Sequence, residues 1–108
     1  MKRIEMIKNS DYFSNIIKNG KFQKNKNFVI YYIDKDEELP KFGIAVKKKI
    51  GKAYIRNRLK RQTREIIDNH KKEFKNRNDY IIMIRDGCLT SSFKEMDASL
   101  KELLERID

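Results

Sequence analysis

The apolar residues near the start of the chain are spaced as in an amphipathic helix over residues 11–18. Phe13 and Ile17 stand four positions apart, so a helix would place both side chains on one face. Asn9 or Ser10, just before this segment, is a residue type that caps the first turn of a helix. The pattern therefore predicts a short first helix with one apolar face.

Two later segments, residues 27–33 and 41–47, are rich in β-branched and aromatic side chains and predict strands. Successive side chains of a strand point to opposite faces. One face of the second strand therefore carries only Gly43 and Ala45, which leaves space for a packed helix or for an open groove. The polar stretch between the two strands predicts a hairpin that pairs them directly.

The second half of the chain predicts two helices around one buried strand. The apolar run in residues 79–85 is short and bounded by polar residues, as in a central strand. A long helix over residues 52–70 precedes it. A last helix begins after Ser92, which can form a capping box with Glu95. The predicted buried stripe of this last helix consists of Phe93, Met96, Leu100, Leu103 and Ile107.

These elements follow one another in the order α-β-β-(β)-α-β-α, where the bracketed strand is one further short strand that the pattern permits. This order predicts an α+β fold, a two-layer α-β sandwich. With a length of 108 residues, the chain is expected to form one domain over residues 1–108.

The net charge of the chain is concentrated in residues 41–64. This window holds ten basic residues and no acidic one, whereas the whole chain has 26 basic and 16 acidic residues. Outside the window 16 basic residues balance 16 acidic ones, so the net charge of +10 belongs to the window. Such a concentration attracts a polyanion, either a nucleic acid or an anionic membrane surface. The lack of tryptophan and the narrow apolar stripe of the basic helix favour nucleic acid.

Most of these cations fall on the predicted helix of residues 52–70. On a helical wheel Ile55, Leu59 and Ile66 form one narrow anchoring arc, and Gln62 lies at its edge. Arginine predominates on the remaining surface, and its planar guanidinium suits bidentate contacts with phosphate. An ordinary solvated face would mix charges of both signs, so we predict a nucleic-acid-binding surface, here called the basic ridge. The basic ridge consists of Lys48, Lys49, Lys52, Arg56, Asn57, Arg58, Lys60, Arg61 and Arg64.

Several residues that often carry chemistry lack the partners that would make a site. His70 has no second histidine or cysteine at ligand spacing, so we predict a solvent-facing side chain rather than a zinc ligand. Cys88 is the single cysteine, and we predict a half-buried, unreactive residue in a reducing compartment. No catalytic dyad, triad or phosphate loop is evident. We therefore predict no catalytic residue and no metal site in the protein.

Two further features bear on location and metal binding. No apolar run approaches the roughly 20 residues that cross a bilayer, and the N-terminus shows no signal region. We therefore expect a cytoplasmic protein without membrane contact. A divalent cation could gather at an acidic cluster, although a solvated loop is the favoured interpretation. The cluster consists of Asp34, Asp36, Glu37 and Glu38.

From Gly51 onwards the string Gly-x-Ala-x-x-Arg-Asn-Arg-x-Lys-Arg-x-x-Arg resembles the RNR signature of the bacterial ribonuclease P protein family. The likeness covers nearly the whole chain and includes residues 11–13, 28–31, 42–46 and 79–82. It implies a ribosomal protein S5 domain 2-like fold with a left-handed βαβ crossover. It also implies a subunit of ribonuclease P, in which a large RNA removes the 5′ leader of precursor tRNA with Mg²⁺.

The resemblance assigns roles to two groups of residues. The basic ridge matches the helix with which the family holds the catalytic RNA. Phe13, Ile17, Tyr31 and Met83 match positions that line a cleft for the single-stranded leader. Strand parity agrees, because Tyr31 and Met83 can share the sheet face that carries Gly43. Ile17 stands where an aromatic is common in the family, and Met83 stands where a branched aliphatic is usual. A core role for Phe13, Ile17 and Tyr31 remains the alternative.

The implied partners are ribonuclease P RNA and precursor tRNA, with no stable protein partner. Mg²⁺ would be bound mainly by the RNA and the substrate, and no cofactor would be attached to the protein. Two other classes of protein remain alternatives. A structural RNA-binding protein, such as a ribosomal component, would share the basic ridge without needing a cleft. An autonomous metal nuclease would need clustered carboxylates that the sequence does not show.

Overall fold

The computed structural model describes residues 6–36, 39–75 and 77–107. The α+β fold class is confirmed, with three α-helices and four strands in these ranges. The additional short strand is Lys21–Lys24, and it lies before the two predicted strands rather than after them. The elements are α1 Ser10–Asn19, β1 Lys21–Lys24, β2 Phe28–Asp34, β3 Phe42–Val46, α2 Ala53–Asn69, β4 Asn78–Ile84 and α3 Phe93–Glu105.

The four strands form one sheet in the order β1-β2-β4-β3. The predicted hairpin between β2 and β3 is wrong, because β4 lies between them, antiparallel to β2 and parallel to β3. Neighbouring parallel strands need a long crossover connection, and α2 supplies it. The handedness that the resemblance implies for this crossover stays a prediction.

One face of the sheet builds the main core with α2 and α3. Ile30 of β2 stands beside Ile82 of β4, and Ile82 stands beside Ile44 of β3. The predicted α3 stripe packs against this face, and Met96, Leu100 and Leu103 are completely buried. The capping box is also confirmed, because the Ser92 hydroxyl and the Glu95 carboxylate each accept the partner's backbone N–H. These hydrogen bonds lower the pKa of Glu95.

The other face of the sheet carries α1, which packs against β2 and β4 and reaches β3 through Phe13. Ile16 of α1 is completely buried. The ring of Phe13 lies over Gly43, and a Cβ atom at that position would stand 2.5 Å from Phe13 Cε2. The missing side chain at Gly43 therefore provides the space in which the first helix rests.

A buried carboxylate joins α1 to the sheet and to the connection between β2 and β3. Asp79 is 3% exposed and lies at the start of β4. Its carboxylate accepts a hydrogen bond from the Tyr12 hydroxyl at 2.6 Å and one from the Lys41 N–H at 2.9 Å. It also pairs with Lys35 Nζ at 2.5 Å. Because a buried carboxylate needs such partners, Asp79 fixes the position of α1 along the sheet.

Replacing Asp79 by Ala should strongly destabilise the protein, because Lys35 would remain buried without its counter-charge. We expect a loss of ~3–5 kcal/mol in the free energy of unfolding, the usual cost of removing one member of a buried pair. Urea unfolding followed by circular dichroism measures this loss. Glu102→Ala is the matched control, because its pair with Arg106 is exposed and should contribute less than ~1 kcal/mol. Equal losses for the two variants would contradict the role given to Asp79.

Candidate nucleic-acid interface

The sheet face that carries α1 is covered at one end and open at the other. Six of the seven β4 residues are buried, and Met83 is the exception. Val29 of β2 and Ala45 of β3 flank Met83 in the sheet. Above this point lies a cavity of about 230 Å³, here called the cleft. The cleft is therefore the part of the sheet face that the short first helix does not reach.

The floor of the cleft is apolar and its rim is mostly cationic. Val29, Tyr31 and Met83 form the floor. The rim includes Lys47, Lys49 and Arg85, together with the carboxylate of Asp86. An apolar, aromatic floor with cations beside it suits a single nucleic-acid strand, because bases stack on the floor while phosphates meet the cations.

Hydrogen bonds to the segment before β2 hold Arg85 in place at the rim. Its Nη1 atom donates to the Asn25 carbonyl at 2.6 Å, and its backbone N–H donates to the Asn27 carbonyl at 2.9 Å. The side chain of Asn27 is buried and bonds to Ser91 and Ser99. Hydrogen bonds between several segments thus fix this end of the cleft.

The predicted cleft residues divide into two groups. Tyr31 and Met83 line the cleft together. Phe13 and Ile17 are partly buried on α1 and do not belong to the cavity lining, since Phe13 packs over Gly43. Phe13 is therefore partly a core residue, as the alternative interpretation has it, because its ring covers the sheet beside the cleft.

Sequence reasoning missed the floor residue Val29 and the rim cations Lys47 and Arg85. Val29 shares strand parity with Tyr31, so its position on the floor was available from the pattern. Lys47 belongs to the Lys47–Lys49 run, which already pointed to this corner. For Arg85 no local signal exists, because its place at the rim depends on contacts with a segment 60 positions earlier in the chain.

Helix α2 and the segment before it carry the residues of the basic ridge. Its buried residues are Leu59, Thr63, Ile66 and Ile67, and Ile55 packs partly against the core. The buried Thr63 hydroxyl donates to the Leu59 carbonyl at 2.7 Å, which explains how a polar residue fits into the anchoring stripe. Arg56 and Lys60 are partly exposed, and the other ridge residues are exposed.

The cations of the basic ridge are not neutralised within the described part of the chain. None of them forms an ion pair with another residue there. The first turn of α2 contains no acidic residue, and Lys52 at the N-cap provides no side-chain hydrogen bond. Arg56 Nε is buried without a hydrogen-bond partner. An anion at this surface would therefore meet unpaired cations and free N–H groups at a helix N-terminus.

Two residues differ from their predicted environments. His70 does not face solvent: its side chain is only 13% exposed, and it bonds to Asp97 through Nε2 at 2.7 Å and to Glu73 through Nδ1 at 2.9 Å. The prediction failed because Asp97 comes from α3, which packs against α2. Cys88 is buried rather than half-buried, and burial raises the pKa of its thiol although a hydrogen bond with Asn27 opposes the shift. Neither residue is suited to act as a nucleophile or a zinc ligand.

The residues that can be described contain neither a cluster of metal ligands nor a membrane-spanning helix. Across positions 6–36, 39–75 and 77–107, no three His, Cys, Asp or Glu side chains come together in a way that could hold a metal ion. Glu37 and Glu38 of the predicted acidic cluster lie outside the described residues. None of the helices in these ranges is long and apolar enough to span a bilayer.

Comparisons with known proteins find relatives over nearly the whole chain. The chain matches the family described as Ribonuclease P over residues 1–108. The ribonuclease P protein component of Bacillus cereus is 38% identical over 108 residues, which cover 98% of this chain and 93% of that protein. The solved RNase P protein of Thermotoga maritima superimposes with a TM-score of 0.86 at 31% identity, over 96% of this chain and 98% of that chain. For the RNase P protein of Staphylococcus aureus the TM-score is 0.85 at 30% identity, over 94% of each chain.

Proposed function

Since the chain belongs to the bacterial ribonuclease P protein family, we propose that it holds the catalytic RNA with its basic ridge and the 5′ leader of precursor tRNA in its cleft. Family membership makes it the protein subunit of ribonuclease P, the tRNA-processing ribonucleoprotein, and makes ribonuclease P RNA its partner. The substrate contacts, the division of labour between ridge and cleft, and a cytoplasmic site of action are the proposal.

The unpaired cations support the assignment of the basic ridge to the large RNA. Arg58, Arg61 and Arg64 are exposed and form no ion pair with a described residue. Each guanidinium offers a planar set of donors that matches phosphate oxygens. Binding a folded RNA would release the counterions that these cations displace, which is the main source of affinity in such complexes.

The opening at Met83 is the single observation that carries the assignment of the leader to the cleft. Every other β4 residue is buried, so β4 is open only at the point where Tyr31 and cationic side chains line the same cavity. Single-stranded RNA is held by base stacking on aromatic side chains and by paired phosphates. The bases of a duplex already stack on each other, so they would not be available to stack on Tyr31.

In this proposal the protein contributes binding and orientation, and the RNA carries out the cleavage. Mg²⁺ would be bound by the RNA and the substrate, because the described residues do not offer a set of ligands that fits it. We assign no chemical step to a protein side chain. The contribution of the protein is the neutralisation of phosphates and the positioning of the leader relative to the catalytic RNA.

The test of this function is a cleavage assay at low Mg²⁺ concentration. Precursor tRNA is mixed with the cognate ribonuclease P RNA, with and without this protein. We expect faster cleavage with the protein, because its cations substitute for part of the screening that Mg²⁺ otherwise provides. If the rates with and without protein are equal, the proposed function is wrong.

Within this assay Tyr31→Leu separates leader binding from general RNA binding. Stacking on an aromatic side chain contributes ~1–3 kcal/mol per base, so we expect the affinity for leader-bearing substrate to fall by about 5-fold to about 150-fold. Mature tRNA, which lacks the leader, should bind unchanged, and Tyr31→Phe should retain wild-type affinity. A structural RNA-binding protein without leader contacts would instead tolerate Tyr31→Leu on both RNAs.

Replacing Arg58 by Ala should weaken binding to ribonuclease P RNA and flatten its salt dependence. The loss of one phosphate contact lowers the slope of log K against log salt by about 1. Filter binding over a range of potassium concentrations measures both effects. Lys101→Ala is the matched control, because it removes one exposed positive charge from α3, outside residues 41–64. Weakened binding with an unchanged slope would assign Arg58 to base contacts rather than phosphate contacts.

A further inference from the structure

An exposed aromatic side chain stands beside the cleft on the edge strand of the sheet. Phe22 of β1 is 54% exposed. It pairs in register with Tyr31 of β2, so both side chains project from the same sheet face. Their ring centroids lie 6.1 Å apart, and the ring planes are inclined by 46°. The apolar floor of the cleft therefore continues from Met83 past Tyr31 to the outer edge of the sheet.

Single exposed apolar residues are common on protein surfaces and need no explanation. The surroundings distinguish Phe22 from such residues. It extends an aromatic floor that already has Lys47, Lys49 and Arg85 at its rim. Lys24, two positions further along β1, projects from the same face and stands beside Val29. An aromatic ring next to another aromatic ring, with cations on both sides, has the composition of a surface for single-stranded nucleic acid.

We propose that Phe22 provides an additional stacking position for a base of the leader, next to the one at Tyr31. This inference rests on the proposed function, since it takes the leader to be the strand in the cleft. The charge around the site argues for RNA rather than a protein segment, because the rim and Lys24 together supply four cations against the one carboxylate of Asp86. Leader length beyond the Tyr31 position thereby becomes a determinant of affinity.

The geometry of the two rings defines how the bases would bind. At 6.1 Å and an inclination of 46°, the rings of Phe22 and Tyr31 touch each other and leave no slot for a base between them. Each ring instead offers its solvent-facing side, so one base stacks on each. Two consecutive bases of the leader would therefore stack on Tyr31 and Phe22, and Lys24 would lie close to the leader phosphates.

The test uses the holoenzyme, assembled from this protein and its cognate ribonuclease P RNA, and precursor tRNAs whose leaders lengthen by one nucleotide at a time. For Phe22→Leu we expect the affinity for long leaders to fall by about 5-fold or more, the lower end of the effect of one stacked base. Leaders too short to pass Tyr31 should bind as in the wild type. Phe22→Tyr, which keeps the ring, should retain full affinity, and Leu39→Ala serves as a control at another exposed apolar residue.

A second measurement reports stacking directly. A 2-aminopurine placed at successive leader positions should lose fluorescence at the nucleotide that stacks on Phe22, and Phe22→Leu should restore the signal at that position alone. Equal affinity of wild type and Phe22→Leu for every leader would overturn the inference, as would an equal loss for all leaders, which would indicate a structural effect. If leader length does not matter even in the wild type and Tyr31→Leu is silent, the proposed function fails together with this inference.

Discussion

The carboxylate of Asp79 determines which part of the sheet is covered and which part is open. A helix of ten residues is only about 15 Å long, so α1 cannot cover a four-stranded sheet. The hydrogen bond of Asp79 with Tyr12 holds α1 near the start of β4, and the contact of Phe13 with Gly43 brings it close to β3. The far end of β4, at Met83, is left uncovered. The cleft is thus a consequence of where one buried carboxylate anchors a short helix.

The second constraint on the molecule is electrostatic. Outside residues 41–64 some of the charges in the described part of the chain are paired, as Arg106 with Glu102 and Lys71 with Asp68. On α2, in contrast, Arg56, Lys60 and Arg64 follow one another at four-residue spacing, and each such like-charge pair costs a few tenths of a kcal/mol. The fold tolerates this repulsion because Leu59, Ile66 and Ile67 anchor the helix in the core. The phosphates of a bound RNA would offset this repulsion. The charges of the basic ridge would therefore be balanced only in a complex with RNA.

Local patterns allowed much of the fold to be predicted, whereas contacts between distant segments were predicted poorly. The capping box at Ser92 and the buried stripe of α3 depend on residues three or four positions apart. The capping box was correct, and so was the stripe except that Phe93 is only partly buried and Ile107 lies just beyond the helix. The hairpin was wrong because nothing in residues 27–47 indicates that β4 will lie between the two strands. The environment of His70 was wrong for the same reason, since its partner Asp97 lies on another helix.

In the candidate site, too, local patterns were predicted well and contacts between distant segments were predicted poorly. The charge window alone located the basic ridge, because clustering of one charge sign is visible in the sequence itself. Strand parity placed Tyr31 and Met83 on one face, but the extent of the cleft depends on where α1 ends over that face. No pattern in residues 11–18 specifies this, since the anchor is Asp79, more than 60 positions away. Arg85 became visible as a rim residue only from its bonds to Asn25 and Asn27.

The basic ridge and the cleft meet at one short segment, and this connection shapes the proposed mechanism. Lys47–Ile50 links the end of β3 to the approach to α2, and Lys49 belongs both to the ridge and to the rim of the cleft. Ile50 is buried, so the segment is anchored in the core rather than free to swing. An RNA bound at α2 and a strand bound at Tyr31 would therefore be held at a fixed separation. Two polyanions repel each other at such a distance, and the cations of this shared corner lie where they can offset that repulsion.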